Sequence, residues 1–198
     1  MTSLAILLLA AGSSSRMRGS DKLLEQIDGI PLIRRQALAA CATGAAVFVT
    51  LPGNRPDRDT ALAGLDLRRV PVPDAALGLS ASLRAGVRAA GQRPLLVLLA
   101  DLPDITAADL SRLLARHAEV PDRILRATAQ DGTPGHPVLF PAWSVPELAS
   151  LTGDSGARDL LKREAGRTES IALPARHAVT DLDTPEDWAA WRAARPPG

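Results

Sequence analysis

The feature that most constrains the fold is a set of short aliphatic runs bounded by Gly, Pro or Asp. The runs at Leu4–Ala10 and Pro94–Ala100 are apolar at nearly every position. Strands that are covered on both faces of a parallel sheet have this composition. Two further runs, Ala46–Leu51 and Arg69–Pro73, have similar boundaries. We therefore expect four strands in one buried sheet.

Helical patterns lie between these runs. Pro31 is suited to the start of a helix, and Gly44 to its end. Apolar residues recur at helical spacing after Gly78, and Thr106 with Asp109 three residues later resembles a capping box. Strands that alternate with helices indicate a three-layer, mostly parallel α/β sheet.

The second half of the chain is less regular. The apolar pattern predicts strands at Ile124–Ala129 and Pro137–Phe140, and a helix that opens at Asp154–Gly156. The segment Thr184–Asp187 combines a capping Thr, a Pro in the first turn and two acids near the positive end of the dipole. This combination predicts a last helix.

Composition narrows the class of protein. A chain of 198 residues with 46% hydrophobic residues fits one globular domain. Its 23 Lys and Arg are balanced by 22 Asp and Glu, which argues against a nucleic-acid-binding surface. Cys41 is the only cysteine. An intrachain disulfide and a Cys-based zinc site are therefore excluded.

The apolar N-terminal run could be mistaken for the core of a signal peptide. No positively charged region comes first, because only Met1-Thr2-Ser3 precede the run. The chain also contains no stretch of about 18 apolar residues. A buried strand explains the run better, so we expect a cytoplasmic protein with no membrane partner.

A loop at Ala11–Lys22 directly follows the first predicted strand. Ligands of open α/β sheets sit at the carboxyl ends of the strands, so the position favours a binding loop. Gly and Ser allow backbone N–H groups to face an anion, and Arg16, Arg18 and Lys22 add positive charge. A Walker loop is excluded because Asp21 precedes the lysine. The alternative is a flexible surface connection.

A carboxylate stands at the end of another predicted strand. Asp101 follows the run at Pro94–Ala100, which would point it into the ligand crevice. Mg²⁺ in such a crevice takes one or two carboxylates together with substrate phosphates. The alternative is a helix cap, but Thr106 is already suited to that role. The pattern therefore favours a metal ligand.

Motifs along nearly the whole chain carry a family resemblance. The first is Leu9-Ala10-Ala11-Gly12-x-Ser14-Ser15-Arg16-Met17 together with Lys22. The chain thereby resembles the MobA-like nucleotidyltransferases, and the other matching stretches occur in the family's order: Gly78–Gly86, Leu99–Pro103, Gly135–Phe140, Gly153–Arg158 and Asp181–Asp187. The Ala-Ala-Gly loop is most similar to that of the molybdenum cofactor cytidylyltransferases, since guanylyltransferase relatives carry Ala-Gly-Gly. One departure is the stretch Arg18–Asp21, where relatives vary.

The resemblance implies a Rossmann-like three-layer nucleotidyltransferase fold and a set of site residues. The implied catalytic residues are Lys22, Arg16 and Asp101; the implied nucleotide-binding residues are Leu9, Ala10, Ala11, Gly12, Lys22, Gly78, Ser80 and Ser82; His136 would contact the acceptor; and Asp101 and Asp183 would hold Mg²⁺. Three alternatives stay open. Asp181 could replace Asp183, Ser80 could be a helix N-cap, and His136 could be a turn residue.

The implied reaction is transfer of CMP from CTP to the phosphate of a molybdopterin cofactor, with release of pyrophosphate. A single domain, residues 1–198, would carry the nucleotide on residues 1–105 and the acceptor on residues 106–198. A recipient molybdoenzyme or its chaperone would be a further partner. The alternatives are transfer of GMP or another nucleotide to a sugar or alcohol phosphate, and a chaperone that binds nucleotide or cofactor without turnover.

Overall fold

The structure, a computed structural model, describes residues 4–151 and 157–195. Its strands are β1 (Ala5–Leu9), β2 (Gln26–Ile27), β3 (Ile30–Pro31), β4 (Ala46–Pro52), β5 (Arg68–Val72), β6 (Leu95–Leu99), β7 (Ile124–Thr128), β8 (Pro134–Phe140) and β9 (Thr168–Ala172). Its helices are α1 (Leu32–Cys41), α2 (Pro56–Ala61), α3 (Leu79–Ala90), α4 (Ala107–Glu119), α5 (Val145–Ser150), α6 (Arg158–Arg163) and α7 (Pro185–Ala194).

Seven of the strands form one sheet in the order β5-β4-β1-β6-β8-β7-β9. All neighbours run parallel except at β8, which is antiparallel to both β6 and β7. The predicted mostly parallel sheet is confirmed. Leu9 at the end of β1 pairs with Thr50 of β4 and Leu99 of β6. The carboxyl ends of these three strands therefore lie at one edge.

Helices cover both faces of the sheet. Ile6 and Leu8 of β1 share a buried cluster with residues of α1, α4 and α7, whereas Leu7 shares the opposite cluster with α3, α5 and α6. A Cβ atom on Gly86 would overlap the side chain of Leu7, so glycine allows α3 to pack directly on β1. The predicted three-layer architecture is confirmed.

The predicted strands and helix starts mostly agree with the structure. Each of the four N-terminal strands is present with small shifts of its ends, and α1 starts directly after Pro31. Both predicted N-caps form capping boxes. Thr106 Oγ1 accepts from the Asp109 amide at 3.2 Å, and Thr184 Oγ1 accepts from the Asp187 amide at 3.1 Å. Asp154–Gly156, which we expected to open a helix, lies outside the described residues.

One alternative is wrong, and several elements were not predicted. Gly78, with φ of 88°, is the N-cap of α3, so Ser80 lies inside the helix and does not cap it. The helices α2 and α5, the β2–β3 hairpin and the edge strand β9 lacked a pattern strong enough to predict them. None of the described helices is long and apolar enough to cross a membrane.

Candidate active site

A cavity of about 410 Å³ opens at the carboxyl ends of β1 and β6. The loop after β1, the start of α3 and the segment before α7 meet around it, and its lining residues are Leu9, Ala11, Gly12, Ser13, Arg16, Lys22, Leu23, Ala75, Ala76, Gly78, Leu79, Ser82, Leu99, Asp101, Asp181 and Asp183. The position is where the topology of an open parallel sheet predicts a ligand. Most of the site residues expected from the sequence lie here.

Lys22 joins two carboxylates in this cavity. Its Nζ donates to Asp101 Oδ2 at 2.6 Å and to Asp183 Oδ1 at 2.7 Å. Burial alone would lower the pKa of Lys22, but the charges and hydrogen bonds of Asp101 and Asp183 outweigh it and raise that pKa above its ordinary value. The ammonium therefore stays charged, and it holds together residues that come from three separate loops.

The two arginines of the loop point to different partners. Arg16, whose side chain is 69% exposed, lies 2.8 Å from Asp183 Oδ2 at the rim of the cavity. Arg18 pairs at 2.7 Å with the exposed Glu186 and does not line the cavity. Of the three cations in the loop, Lys22 and Arg16 are placed to meet an anionic ligand there.

The carboxylates fit a hard divalent cation. Asp101 Oδ1 is enclosed and has no hydrogen-bond partner among residues 4–151 and 157–195. Asp183 and Asp101 both accept a hydrogen bond from the Lys22 ammonium, whereas Asp181 lines the cavity without such a bond. Across the described chain no three His, Cys, Asp or Glu side chains group as a metal site. Two carboxylates with substrate phosphates make a set that Mg²⁺ accepts.

Small residues of the loop and of α3 also line the cavity. Ala11 lines it and is at the same time buried against Val72 and Ala81. Gly78 and Ser82 line it from the N-cap and the first turn of α3. Its N-cap glycine holds a positive φ that residues with a Cβ rarely adopt.

Two of the expected nucleotide-binding residues do not line the cavity. Ala10 lies in the core cluster below the loop, and its carbonyl accepts from Arg58 Nη1 at 2.6 Å. Ser80 is buried within the first turn of α3.

His136 faces a second cavity of about 190 Å³, which shares Leu9 and Leu79 with the first. Burial, with the nearby charge of Arg126, lowers the pKa of His136 to about 4 despite an opposing contribution from Asp101. The ring is therefore neutral at neutral pH. Its enclosed Nδ1 has no partner in the described part of the chain. The histidine thus adjoins the main cavity without lining it.

A buried pair behind the loop was not predicted. Arg58 of α2 forms a two-pronged ion pair with Asp21 at 2.7 and 2.8 Å. In the sequence, Asp21 indicates only that the loop is not a Walker loop, and nothing in the local pattern of α2 marks its arginine as buried. The two residues are 37 positions apart, so only the tertiary structure shows their contact.

Comparisons with known proteins agree with the fold. The family model of the MobA-like NTP transferase domain matches residues 6–169. A molybdenum cofactor guanylyltransferase of Serratia proteamaculans is 28% identical over 189 residues, which cover 94% of this chain and 92% of the relative. A probable molybdenum cofactor guanylyltransferase of Nostoc is 24% identical, with coverage of 96% and 90%. The crystal structure of Rv0371c from Mycobacterium tuberculosis superposes with a TM-score of 0.82 at 26% identity, covering 96% of each chain.

Proposed function

The chain belongs to the MobA-like NTP transferase family, and from this premise we propose that it transfers a nucleoside monophosphate from a nucleoside triphosphate to the phosphate of a molybdopterin cofactor. One observation carries the proposal. Lys22 stands between Asp101 and Asp183, directly beside the Gly-Ser loop, where a triphosphate needs both positive charge and metal-binding oxygens. The names of relatives that align over nearly the whole chain support the choice of acceptor.

The reaction requires no nucleophilic side chain. An oxygen of the acceptor phosphate forms a bond to the α-phosphorus of the nucleotide. The bond between the α-phosphorus and the oxygen that joins it to the β-phosphorus breaks, and pyrophosphate leaves with that electron pair. The protein must align the two phosphates and offset their charge. In the proposal Lys22, Arg16 and the amides of residues 12–15 hold the triphosphate, and the Lys22 ammonium faces the oxygens that gain charge.

We assign Mg²⁺ to the Asp101 and Asp183 carboxylates. Bound there, the ion would neutralise negative charge on phosphate oxygens. The unpartnered Oδ1 of Asp101 supports the assignment. Asp183 is favoured over Asp181 because only Asp183 shares the Lys22 ammonium.

We place the acceptor on the side of His136. The second cavity adjoins the first through Leu9 and Leu79, so an acceptor there would reach the nucleotide from the other side of these residues. The neutral His136 offers an uncharged hydrogen-bonding group in a cavity that Arg126 and Arg158 also line. The role of His136 in acceptor binding remains a prediction. The cytoplasmic location and the division of the chain into a nucleotide-binding part (residues 1–105) and an acceptor-binding part (residues 106–198) remain predictions as well.

For the nucleotide we propose CTP, with GTP as the second candidate. Ala11 lines the cavity, and we infer that its methyl group favours a one-ring base over a two-ring base. The relatives favour the opposite choice, because both are named as guanylyltransferases. Incubating the protein with each of the four nucleotides, Mg²⁺ and molybdopterin, and weighing the product by mass spectrometry, decides between them. If no nucleotide yields pyrophosphate, the chain is a binding protein and the proposed activity is wrong.

A further inference from the structure

Arg58 is a fully buried cation that lies behind the phosphate loop and outside the cavity. Its side chain is 0% exposed, and its partner Asp21 is 6% exposed. A buried guanidinium is costly unless its donors are satisfied. Here the donors are used on a single segment, the loop that follows β1.

One guanidinium contacts the start, the middle and the end of this loop. Nη1 donates to the Ala10 carbonyl at 2.6 Å, and Nη2 donates to Ser14 Oγ at 3.0 Å. Nε and Nη2 donate to the two carboxylate oxygens of Asp21 at 2.7 and 2.8 Å. Asp21 immediately precedes Lys22, so the fixed end of the loop is also the base of its lysine.

The loop residues are joined to one another as well. Ser14 Oγ donates to Asp21 Oδ1 at 3.1 Å, and Asp21 Oδ1 also accepts from the Leu23 amide at 3.1 Å. Ser14 has φ of 54°, in the left-handed region that serine seldom occupies. Backbone strain of this kind persists only where the surroundings hold it in place, and the Arg58 contact is one such restraint.

The pair remains ionised. Burial raises the pKa of Asp21, but the hydrogen bond and charge of Arg58 outweigh this effect and bring that pKa below its ordinary value. The hydrogen bonds from Arg58 to Ala10, Ser14 and Asp21, which we call the clamp, are therefore present at neutral pH.

The short helix α2 that carries Arg58 is itself fastened on two sides. Arg34 of α1 donates to the carbonyls of Ala61 and Ala63 at 2.9 Å. Arg69 of β5 bonds to Asp59 and donates to the Leu62 carbonyl at 3.2 Å. Contacts from α1 and from β5 thus hold α2 in place, so the guanidinium that α2 carries can act as a fixed point for the loop.

We propose that Arg58 is a positioning residue that holds residues 10–21 in the shape that receives the triphosphate. The inference rests on the proposed function, in which this loop binds the phosphates. It predicts that the clamp acts on phosphate binding and leaves recognition of the base and of the acceptor unchanged. A lysine cannot replace it, because one ammonium has three donors at a single point and cannot span all three contacts.

The test compares Arg58→Lys with wild type in binding of inorganic tripolyphosphate and of CTP and GTP, each with Mg²⁺. Tripolyphosphate has no base, so it reports on the loop alone. We expect the Kd values for tripolyphosphate and for the bound nucleotide to rise by the same factor, on the order of tenfold, because a preorganised site is lost. The KM for the acceptor should stay unchanged.

A control separates positioning from general stability. Leu113→Ala removes a buried side chain of α4 that lies in the core, and it should lower the Tm without weakening tripolyphosphate binding. Hydrogen exchange provides a second readout. Arg58→Lys should accelerate exchange of the amides of residues 11–20 more than those of α4, whereas a purely structural role would accelerate both alike.

Ser14→Ala covers the case in which Arg58→Lys does not fold. It removes one contact of the clamp and keeps the ion pair, so we expect a smaller loss of tripolyphosphate affinity than for Arg58→Lys. Where Arg58→Lys folds, adding Ser14→Ala to it should cause no further loss. Unchanged tripolyphosphate binding in folded Arg58→Lys, or in Ser14→Ala if the first variant is unfolded, overturns the inference. If wild type binds neither tripolyphosphate nor any nucleotide, the proposed function itself fails.

Discussion

Lys22 Nζ lies 2.6 Å from Oδ2 of Asp101, a residue 79 positions further along the chain. Both groups are partly enclosed, at 12% and 21% exposure, so each balances the charge of the other. A triphosphate with its metal ion would supply the same two charges in the opposite arrangement, phosphate to Lys22 and cation to Asp101. The contact between these two residues therefore marks where the reacting phosphates are expected.

Asp101→Asn should abolish most turnover and leave the fold intact, because it removes an anionic metal ligand and very little volume. Losing one strong electrostatic contact to a transition state costs about 10²–10³ in rate. The measurement is kcat at saturating Mg²⁺, with circular dichroism to confirm folding. A variant that keeps more than about half of the wild-type kcat excludes the metal role.

The neighbouring carboxylates provide the matched comparison. Asp183→Asn should reproduce the loss, since Asp183 shares the Lys22 ammonium and also pairs with Arg16. Asp181→Asn should lose much less, because Asp181 lines the cavity without that contact. The reverse order of the two variants would identify Asp181 as the second ligand.

Lys22→Ala should raise the KM for the nucleotide and lower kcat, because it removes the charge that faces the triphosphate. Lys22→Arg should restore activity only in part, since a planar fork does not replace a compact ammonium. The chain's other lysine, Lys162 on the exposed face of α6, is the control, and Lys162→Ala should behave as wild type. Normal binding and turnover of nucleotide by Lys22→Ala would remove the loop from the phosphate site.

Some strands and helices carry a strong local signal in the sequence and can be predicted from it. The strands β1 and β6 are apolar at every position, and the capping boxes at Thr106 and Thr184 need only four consecutive residues. The edge strand β9 buries only Ile171, so it carries no alternation that could reveal it. The helix α2 has Pro56 and Ala61 as its only apolar residues, so it shows no apolar helical period.

The residues of the site divide in the same way: a local sequence pattern predicts some of them, and only the tertiary structure brings the others together. Asp101 could be placed because it follows a buried strand, and Lys22 because it closes a Gly-Ser loop. The contact of Asp183 with both depends on how the segment before α7 returns to the first half of the molecule. The Arg58–Asp21 pair depends on the packing of α2, which no local pattern encodes.

His136 should make stability depend on pH. Its pKa falls from 6.5 to about 4 in the folded protein, chiefly through burial. Between these values the unfolded chain binds a proton that the folded protein does not, so stability decreases as pH falls from 6.5 to about 4. His136→Gln should flatten this part of a plot of Tm against pH. An equal slope in wild type and variant would show that the ring is accessible to protons in the folded state.

Ala11 is expected to contribute to the choice of base. Ala11 lines the cavity, is buried next to Val72 and Ala81, and stands beside the loop that would hold the triphosphate. A one-ring pyrimidine leaves more room for its methyl group than a two-ring guanine does. Discrimination through one methyl group is worth about 1–3 kcal/mol, so Ala11→Gly should raise kcat/KM for GTP relative to CTP without a complete reversal.

The experiment measures kcat/KM for both nucleotides with a molybdopterin acceptor in wild type and in Ala11→Gly. Ala10→Gly makes the same chemical change one position earlier, where the methyl group faces the core below the loop, and it should leave the CTP-to-GTP ratio unchanged. A wild type that prefers GTP would make the cytidylyl assignment wrong and align the chain with its named relatives. A ratio that does not move in Ala11→Gly would remove only the role of Ala11, because hydrogen bonds to the base edge would then account for the selection.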